Sequence, residues 1–240
     1  LSLLQLGEFI QSLPVAVMRP DDLIKFSRMS YAKPRDVDRW SDDTYVDSGL
    51  STDELDMLKD IPEKSGNLLL LGVGGGREAI PLARMGFQVT GVDFVEAMVS
   101  RAQDNAAQRG LKIDGLVQEI SQLDVPADTY DLIWLSRSMY SCVPTRSRRV
   151  KMVQSISRSL KKGGFFLCQF HWDTRHRPSR LGTLIRRLIA VGTLGNLSYE
   201  EGDILWLKHE FIHVFSSEES IRSELTDGGL SVISIKTELS

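Results

Sequence analysis

The densest group of residues able to do chemistry is the run Leu68-Leu69-Leu70-Leu71-Gly72-Val73-Gly74-Gly75-Gly76-Arg77-Glu78-Ala79. An all-apolar stretch there feeds four glycines and then a helix-forming segment. Four apolar residues in succession are what a strand covered on both faces requires. Glycines at its exit let the chain turn sharply and let a ligand touch backbone that a Cβ would shield. Free N–H groups at the start of the next helix favour a polar or anionic ligand. Spacing narrows the reading. The dinucleotide fingerprint GxGxxG would need glycine where Arg77 or Ala79 stands; the loop instead reads Gly72-x-Gly74-x-Gly76. A second apolar run, Val89-Thr90-Gly91-Val92, ends at Asp93 and Phe94, with Asp93 17 residues after Gly76. A carboxylate at a strand tip can accept both ribose hydroxyls of a nucleoside, and the related dinucleotide site has its acid about 20 residues on. Further along stand Glu119 and Ile120. A carboxylate there can take an adenine amino hydrogen, and the apolar neighbour can cover the ring.

The elements that must position these residues alternate from Asn67 onward. Strand-like runs are Leu68–Leu71, Phe87–Val92, Ile113–Val117, Tyr130–Leu135 and Gly164–Phe170, separated mostly by the helical segments Arg77–Met85, Val95–Arg109 and Thr145–Leu160. Repeated β-then-α order predicts parallel strands with right-handed crossovers, hence an α/β, doubly wound, mostly parallel sheet with helices on both faces. After Phe170 the rhythm breaks. Leu181–Val191 has apolar residues on one helical face with Arg186 and Arg187 opposite, and Ile204–Leu207 and Glu210–Phe215 look like a short hairpin. Ser217–Asp227 reads as a helix capped by a serine and stopped by Gly228–Gly229, and Leu230–Leu239 as a final strand. Before the alternating region, Leu3, Leu6, Ile10 and Leu13 lie at helical spacing, which predicts an amphipathic N-terminal helix rather than a signal peptide. The chain starts at Leu1 rather than Met, so a few leading residues are expected to be absent. The organisation expected is a helical cap segment over 1–64 and a ligand-binding domain over 65–240, with a cap insertion at about 171–210.

The loop Gly72-x-Gly74-x-Gly76, the strand-tip Asp93 and the Glu119-Ile120 pair together resemble the class I, Rossmann-like S-adenosylmethionine-dependent methyltransferases. Tyr130-Asp131-Leu132-Ile133-Trp134 is similar to the family's fourth strand, and Leu160-Lys161-Lys162-Gly163-Gly164 to the turn before its fifth. The resemblance covers Asn67–Phe170 well and Phe215–Leu239 more loosely. It implies S-adenosylmethionine as cofactor, with S-adenosylhomocysteine as product. The loop would wrap the methionine part, Asp93 would hold the ribose, and Glu119 with Ile120 would face the adenine. Phe94 and Ser136 join this set. Two departures stand out: Leu70 occupies a position where the family often has an acid, and a seventh, antiparallel strand is hard to find before the last residues.

For the reaction itself, a base and an acceptor pocket are needed. His171, at the end of the fifth strand, and His213, in the hairpin, are candidate general bases, and a structural role competes for each. Arg137 is a candidate holder of an anionic acceptor and Tyr140 a candidate packing surface for it. Tyr31 and Trp40 are candidates to close over the cofactor. The resemblance implies methyl transfer to a small-molecule acceptor on oxygen, nitrogen or carbon. A non-catalytic binder of the same cofactor is the alternative, and a nicotinamide-dependent oxidoreductase a weaker third. The Asn/Asp-Pro-Pro-aromatic tetrapeptide that resembling enzymes use on base or glutamine amino groups is absent from the sequence, which disfavours those substrates. No acidic cluster at metal-ligand spacing is seen, so no metal is expected.

Composition sets the frame. A formal charge of −3 on 240 residues gives no global attraction to nucleic acid. The two cysteines, Cys142 and Cys168, make no zinc or redox spacing and read as reduced core thiols, which suits a cytoplasmic location. No apolar run reaches the roughly 20 residues of a membrane span. Leu181–Val191 could be a lid over an apolar acceptor, a homodimer face or a membrane-surface helix, with lid or core packing the leading expectation.

Overall fold

The computed structural model of the protein describes residues 13–62, 64–174, 180–206 and 210–236. They fall into two compact units. One, the sheet unit, holds Tyr31–Met139 and Gln154–Gln169; the other, the hairpin unit, holds the described residues up to Ser30, Tyr140–Val153 and those from Phe170 onward.

The sheet unit contains β1 (Gly66–Leu71), β2 (Phe87–Asp93), β3 (Asp114–Val117), β4 (Tyr130–Leu135) and β5 (Leu160–Cys168). Their order is β3-β2-β1-β4-β5 and every pairing is parallel. The predicted doubly wound sheet is therefore present. β1 sits at its centre, with Leu68 opposite both Val89 and Leu132. Leu68, Leu69, Leu70 and Leu71 are all fully buried, as their continuous apolar character requires. Leu68 and Leu70 join one core with Val89, Leu132 and Trp134. Chain order reverses between β1 and β4, and at such a switch point the carboxyl ends of the strands leave a crevice for a ligand.

α1 (Pro20–Tyr31) belongs to the hairpin unit up to Ser30, and the helices of the sheet unit are α2 (Pro34–Ser41), α3 (Asp43–Asp47), α4 (Thr52–Lys59), α5 (Ala79–Arg84) and α6 (Glu96–Gln108). Proline at the first position of α2 presets its entry angle. Ser51 and Glu54 form a capping box at the start of α4, each side chain taking the other's backbone N–H. α5 starts two residues later than the helical pattern predicts, because Arg77 and Glu78 are used in the turn. α7 (Arg146–Ser159) contributes residues to both units.

The hairpin unit carries α8 (Arg180–Thr193), β6 (Asp203–Trp206), β7 (Glu210–His213) and α9 (Glu218–Asp227). β6 and β7 pair antiparallel, with Asp203 opposite His213. Val15, Leu23, Tyr199 and Phe211 make a core of their own. The predicted cap of α9 is present: Ser217 accepts the Ser220 N–H, and Glu218 and Glu219 fill the first turn. Two expectations need correction or restriction. The final strand does not form between Leu230 and Lys236, where Ile233 is 79 % exposed; β propensity without a ladder partner does not make a strand. Of the N-terminal amphipathic helix, residues 13–17 are helical and the rest lies outside the described residues. Among the described residues, no helix is long and apolar enough to cross a membrane.

Candidate functional site

The glycine loop leaves β1 with φ of +85° at Gly72, +50° at Gly74 and +101° at Gly76. These values suit glycine, but the three positions are not alike. A Cβ at Gly72 would meet Met139 Sδ at 2.0 Å, whereas one at Gly74 would find nothing within 4 Å. Gly74 is thus the open point of the loop, where a ligand can reach the backbone. Gly75 turns the other way: a Cβ there would lie 2.3 Å from the Trp40 carbonyl oxygen. The absent side chain lets the end of α2 pass over the loop.

Asp93 ends β2 beside this open point. Its Oδ2 accepts the Gly74 N–H at 3.1 Å and its Oδ1 the Val95 N–H at 3.0 Å. Burial pushes its carboxyl up to about 6, with the Val95, Gly74 and Phe94 amides pulling the other way. A carboxylate has about four acceptor positions; the Gly74, Val95 and Phe94 amides draw on three, so one remains for a further donor. Phe94 packs with Val37, Val95 and Met98, and Tyr31 and Trp40 join the same cluster. Trp40 also stands edge-on to Tyr45, with centroids 4.9 Å apart.

Ser136 follows β4 and donates its hydroxyl to Glu78 Oε1 at 2.6 Å. Glu78 is 3 % exposed, and burial pushes its carboxyl up against the pull of Arg77. Arg77 in turn donates to Glu54 through both terminal nitrogens, at 2.9 and 2.5 Å, and to the Gly49 carbonyl. Burial acts to lower the Arg77 pKa, but Glu54 and Glu78 more than offset it, so the guanidinium stays charged. Tyr45 lies within reach of both arginines of this region, with the Arg77 and Arg137 guanidinium carbons each 5.9 Å from its ring centroid. Burial, then Glu78, push the Tyr45 hydroxyl above its usual value. Leu70, at the position where the family often has an acid, is a fully buried core residue, whereas Glu78 keeps a carboxylate just beyond the loop. Sequence reasoning missed Glu54, Glu78, Arg77 and Tyr45 as a group.

Glu119 and Ile120 follow β3. Ile120 is 7 % exposed, and Glu119 caps a short 3-10 turn, with Oε1 accepting the Ser121 N–H and Oε2 the Ser121 hydroxyl. Arg137, exposed and with φ of +45°, adjoins Tyr45 in the sheet unit.

The remaining candidates lie in the hairpin unit. Tyr140 is fully buried and donates its hydroxyl to Glu224 at 3.0 Å, so the structure places it in internal packing. His171 has its ring 6.0 Å from Trp206, and its backbone N–H donates to the Ser141 hydroxyl. Burial pushes the His171 pKa below the ordinary histidine value, against the charge of Glu210. His213 is 7 % exposed and its Nδ1 lies 2.8 Å from Asp203 Oδ1. Burial pushes Asp203 up while the His213 bond pulls it down. Glu200, Asp203 and His213 are close enough to share a metal ion. Arg149, itself fully buried, already donates to Glu200 Oε2 at 2.6 Å, so a guanidinium supplies positive charge there. Both thiols are raised by burial, Cys168 to about 12, which keeps them protonated.

The crevice residues of the sheet unit fall in the stretch that matches known proteins. Residues 68–164 match the family described as a methyltransferase domain. The chain is 39 % identical over 100 residues to a ubiquinone biosynthesis O-methyltransferase of Paramagnetospirillum magneticum, covering 42 % of this chain and 38 % of that protein. It is 33 % identical over 117 residues to a phosphatidylethanolamine N-methyltransferase of Cereibacter sphaeroides, covering 48 % and 55 %. These matches span roughly half the length of the curated relatives or less. A solved S-adenosylmethionine-dependent methyltransferase from Methanosarcina mazei shares the fold, with a TM-score of 0.57 at 22 % identity over 75 % of this chain and 84 % of that one. Residues 68–164 thus resemble the methyltransferase-domain family, and the fold is the Rossmann-like α/β fold of a solved S-adenosylmethionine-dependent methyltransferase.

Proposed function

We propose that this protein binds S-adenosylmethionine at the carboxyl ends of β1 and β2 and transfers its methyl group to a small-molecule acceptor. The observation that carries this reading is the pairing of Gly74 with Asp93. An open backbone face stands beside a buried carboxylate that keeps an acceptor position for a further donor. A ribose hydroxyl suits that position, and the missing third glycine of GxGxxG disfavours a nicotinamide cofactor.

When bound, S-adenosylmethionine supplies a methyl carbon already activated by its sulfonium. The chain's part is orientation, exclusion of water and movement of one proton. Asp93 holds the ribose, Gly72, Gly74 and Gly76 give the loop its path, Ser136 lines the end of β4, and Phe94 and Ile120 offer apolar cover for the base. Glu119 reaches the adenine with the lone pairs its cap leaves free. Tyr31 and Trp40, fixed in one cluster with Phe94, shield the cofactor from the α2 side. Glu78 supplies the negative charge that Leu70 does not. For an acceptor that must lose a proton, the candidate base with a carboxylate partner is His213. Its Nδ1–H bond to Asp203 leaves Nε2 as the basic nitrogen. Arg137 holds an acceptor carrying negative charge.

Calorimetric titration with S-adenosylmethionine, S-adenosylhomocysteine and NADH tests the cofactor. The expected result is saturable binding of the first two and none of the third; binding of NADH alone would overturn the reading. A metabolite screen for methylated product then tests turnover. Cofactor binding without any product would move the assignment to a non-catalytic binder. Alanine at His213 or His171 with turnover unchanged would remove that histidine from the mechanism.

A further inference from the structure

We propose that α8 is a membrane-surface helix that seats the protein on an anionic lipid bilayer. The observation is the direction in which the helix turns its apolar stripe. Leu181, Leu184, Ile185, Leu188 and Val191 follow the i, i+3, i+4, i+7 spacing of one helical face, and they are 66, 54, 36, 62 and 62 % exposed. The stripe continues past the helix end in Leu194 and Leu197, 65 and 64 % exposed. The opposite side is the anchored one. Ala190 is 1 % exposed, and Arg186 lies over the Tyr199 ring at 5.9 Å. Beyond the helix, the Asn196 N–H donates to the Ala16 carbonyl, and Gly195 lies so close to residues 16 and 17 that a Cβ would meet the Val17 oxygen at 2.3 Å. The helix is thus pinned with its apolar face outward, where water alone would leave a continuous aliphatic patch uncovered.

Charge selects what covers it. Residues 174–199 hold five arginines, Arg175, Arg177, Arg180, Arg186 and Arg187, one histidine and no acid, within a chain whose formal charge is −3. Glu201, just beyond this stretch, shares a hollow with Leu184 and Arg187. A second copy of the chain docking on the same face by a two-fold axis would set two such acid-free, arginine-rich stretches against each other. An anionic bilayer meets both demands, taking the aliphatic stripe at the acyl boundary and the guanidinium groups among the headgroups. A helix of 14 residues is too short to span, which leaves it to lie in the surface plane.

The test needs no substrate and goes beyond methyl transfer without resting on it. The full chain is floated with vesicles of equimolar phosphatidylglycerol and phosphatidylcholine, and separately with phosphatidylcholine alone. The wild type is expected to float with the anionic vesicles only and to be released by high salt. The double variant Leu184→Glu, Leu188→Glu should lose about tenfold or more in vesicle affinity, in line with burial of an apolar face. R187E should weaken binding while keeping the stripe. Because these positions are exposed, circular dichroism and the melting temperature should stay at wild-type values. Failure of the wild type to float with either vesicle would overturn the proposal. So would equal flotation on both vesicles, or undiminished flotation of the double variant. A wild-type dimer in solution that the double variant turns into a monomer would hand the face to a second copy instead.

Discussion

Asp93 concentrates the residue-scale chemistry, because its titration and its ligand compete. Its carboxyl is raised to about 6 by burial, so the ligand-free protein loses the anion as pH falls through that value. Ribose hydroxyls donate, and a carboxylate accepts better than a carboxylic acid. The dissociation constant for S-adenosylhomocysteine should therefore rise as pH is lowered from 7.5 to 5, while in Asp93→Asn it should be higher throughout and flat over that range. The loss at pH 7.5 should be about ten- to a hundredfold, the range for a hydrogen bond to a charged group. A wild-type affinity unchanged between those pH values would remove Asp93 from the ribose. This acid was legible in the sequence because strand, loop and acid follow one another within 26 residues, Leu68–Asp93. The Asp203–His213 pair was not legible, although both residues stand in or beside the predicted hairpin. Their meeting depends on the register of β6 against β7, which the apolar pattern of two four-residue strands does not fix.

At the scale of elements, two contacts hold the helices preceding β1 to the glycine loop. The first is the backbone of α2 passing over Gly75. In Gly75→Ala the new methyl group would meet the Trp40 oxygen and the Ser41 Cα, which are backbone and cannot swing away. Overpacking of this kind costs typically about 1–3 kcal/mol, so the midpoint of urea unfolding should fall. Gly74→Ala meets no atom but carries the left-handed strain of φ +50°, about 1–2 kcal/mol, so it should lower stability to a comparable or smaller extent and weaken cofactor binding more; a cofactor affinity unchanged in Gly74→Ala would refute the open face. The second contact is the buried Arg77–Glu54 pair, at 3 and 2 % exposure. Breaking a buried pair by removing one partner costs about 3–5 kcal/mol. Glu54→Gln should approach that range in denaturant unfolding, and a change within error would mean that the pair is not formed. This tie was not legible in the sequence, since Glu54 and Arg77 are 23 residues apart and join different elements. Amphipathicity showed α8 without showing its direction. An apolar stripe predicts a covered face, and here the structure turns that face outward.

Across the whole molecule, the carboxyl groups divide by the sign of their shift, and the division predicts an unusual pH profile. Asp93, Glu78 and Asp203 are raised, chiefly by burial. Glu54 and Asp131 are lowered: burial opposes the shift at Glu54 and is outweighed by Arg77, while Asp131 is held down first by Lys161. A raised acid binds more protons folded than unfolded, so its contribution is present below the unfolded value and is lost as pH rises through the folded one. For Asp93 that window runs from the ordinary aspartate value of 3.8 to about 6 and corresponds to about 2–3 kcal/mol. A lowered acid works oppositely: its contribution is present at neutral pH and disappears as pH falls through its folded value. Acidification from pH 7.5 should therefore first stabilise the ligand-free protein, as the raised group protonates, and then destabilise it as Glu54 and Asp131 lose their charge. The stability optimum should lie at about pH 5–6. On the proposed reading S-adenosylhomocysteine prefers the folded state with Asp93 ionised, so at saturation it should add stability mainly above pH 6 and move the optimum towards neutrality. Thermal melts from pH 4 to 8, with and without the ligand, measure both statements. An optimum at pH 7–8 in the ligand-free protein, or one that the ligand leaves in place, would show that the buried acid at the tip of β2 governs neither stability nor binding.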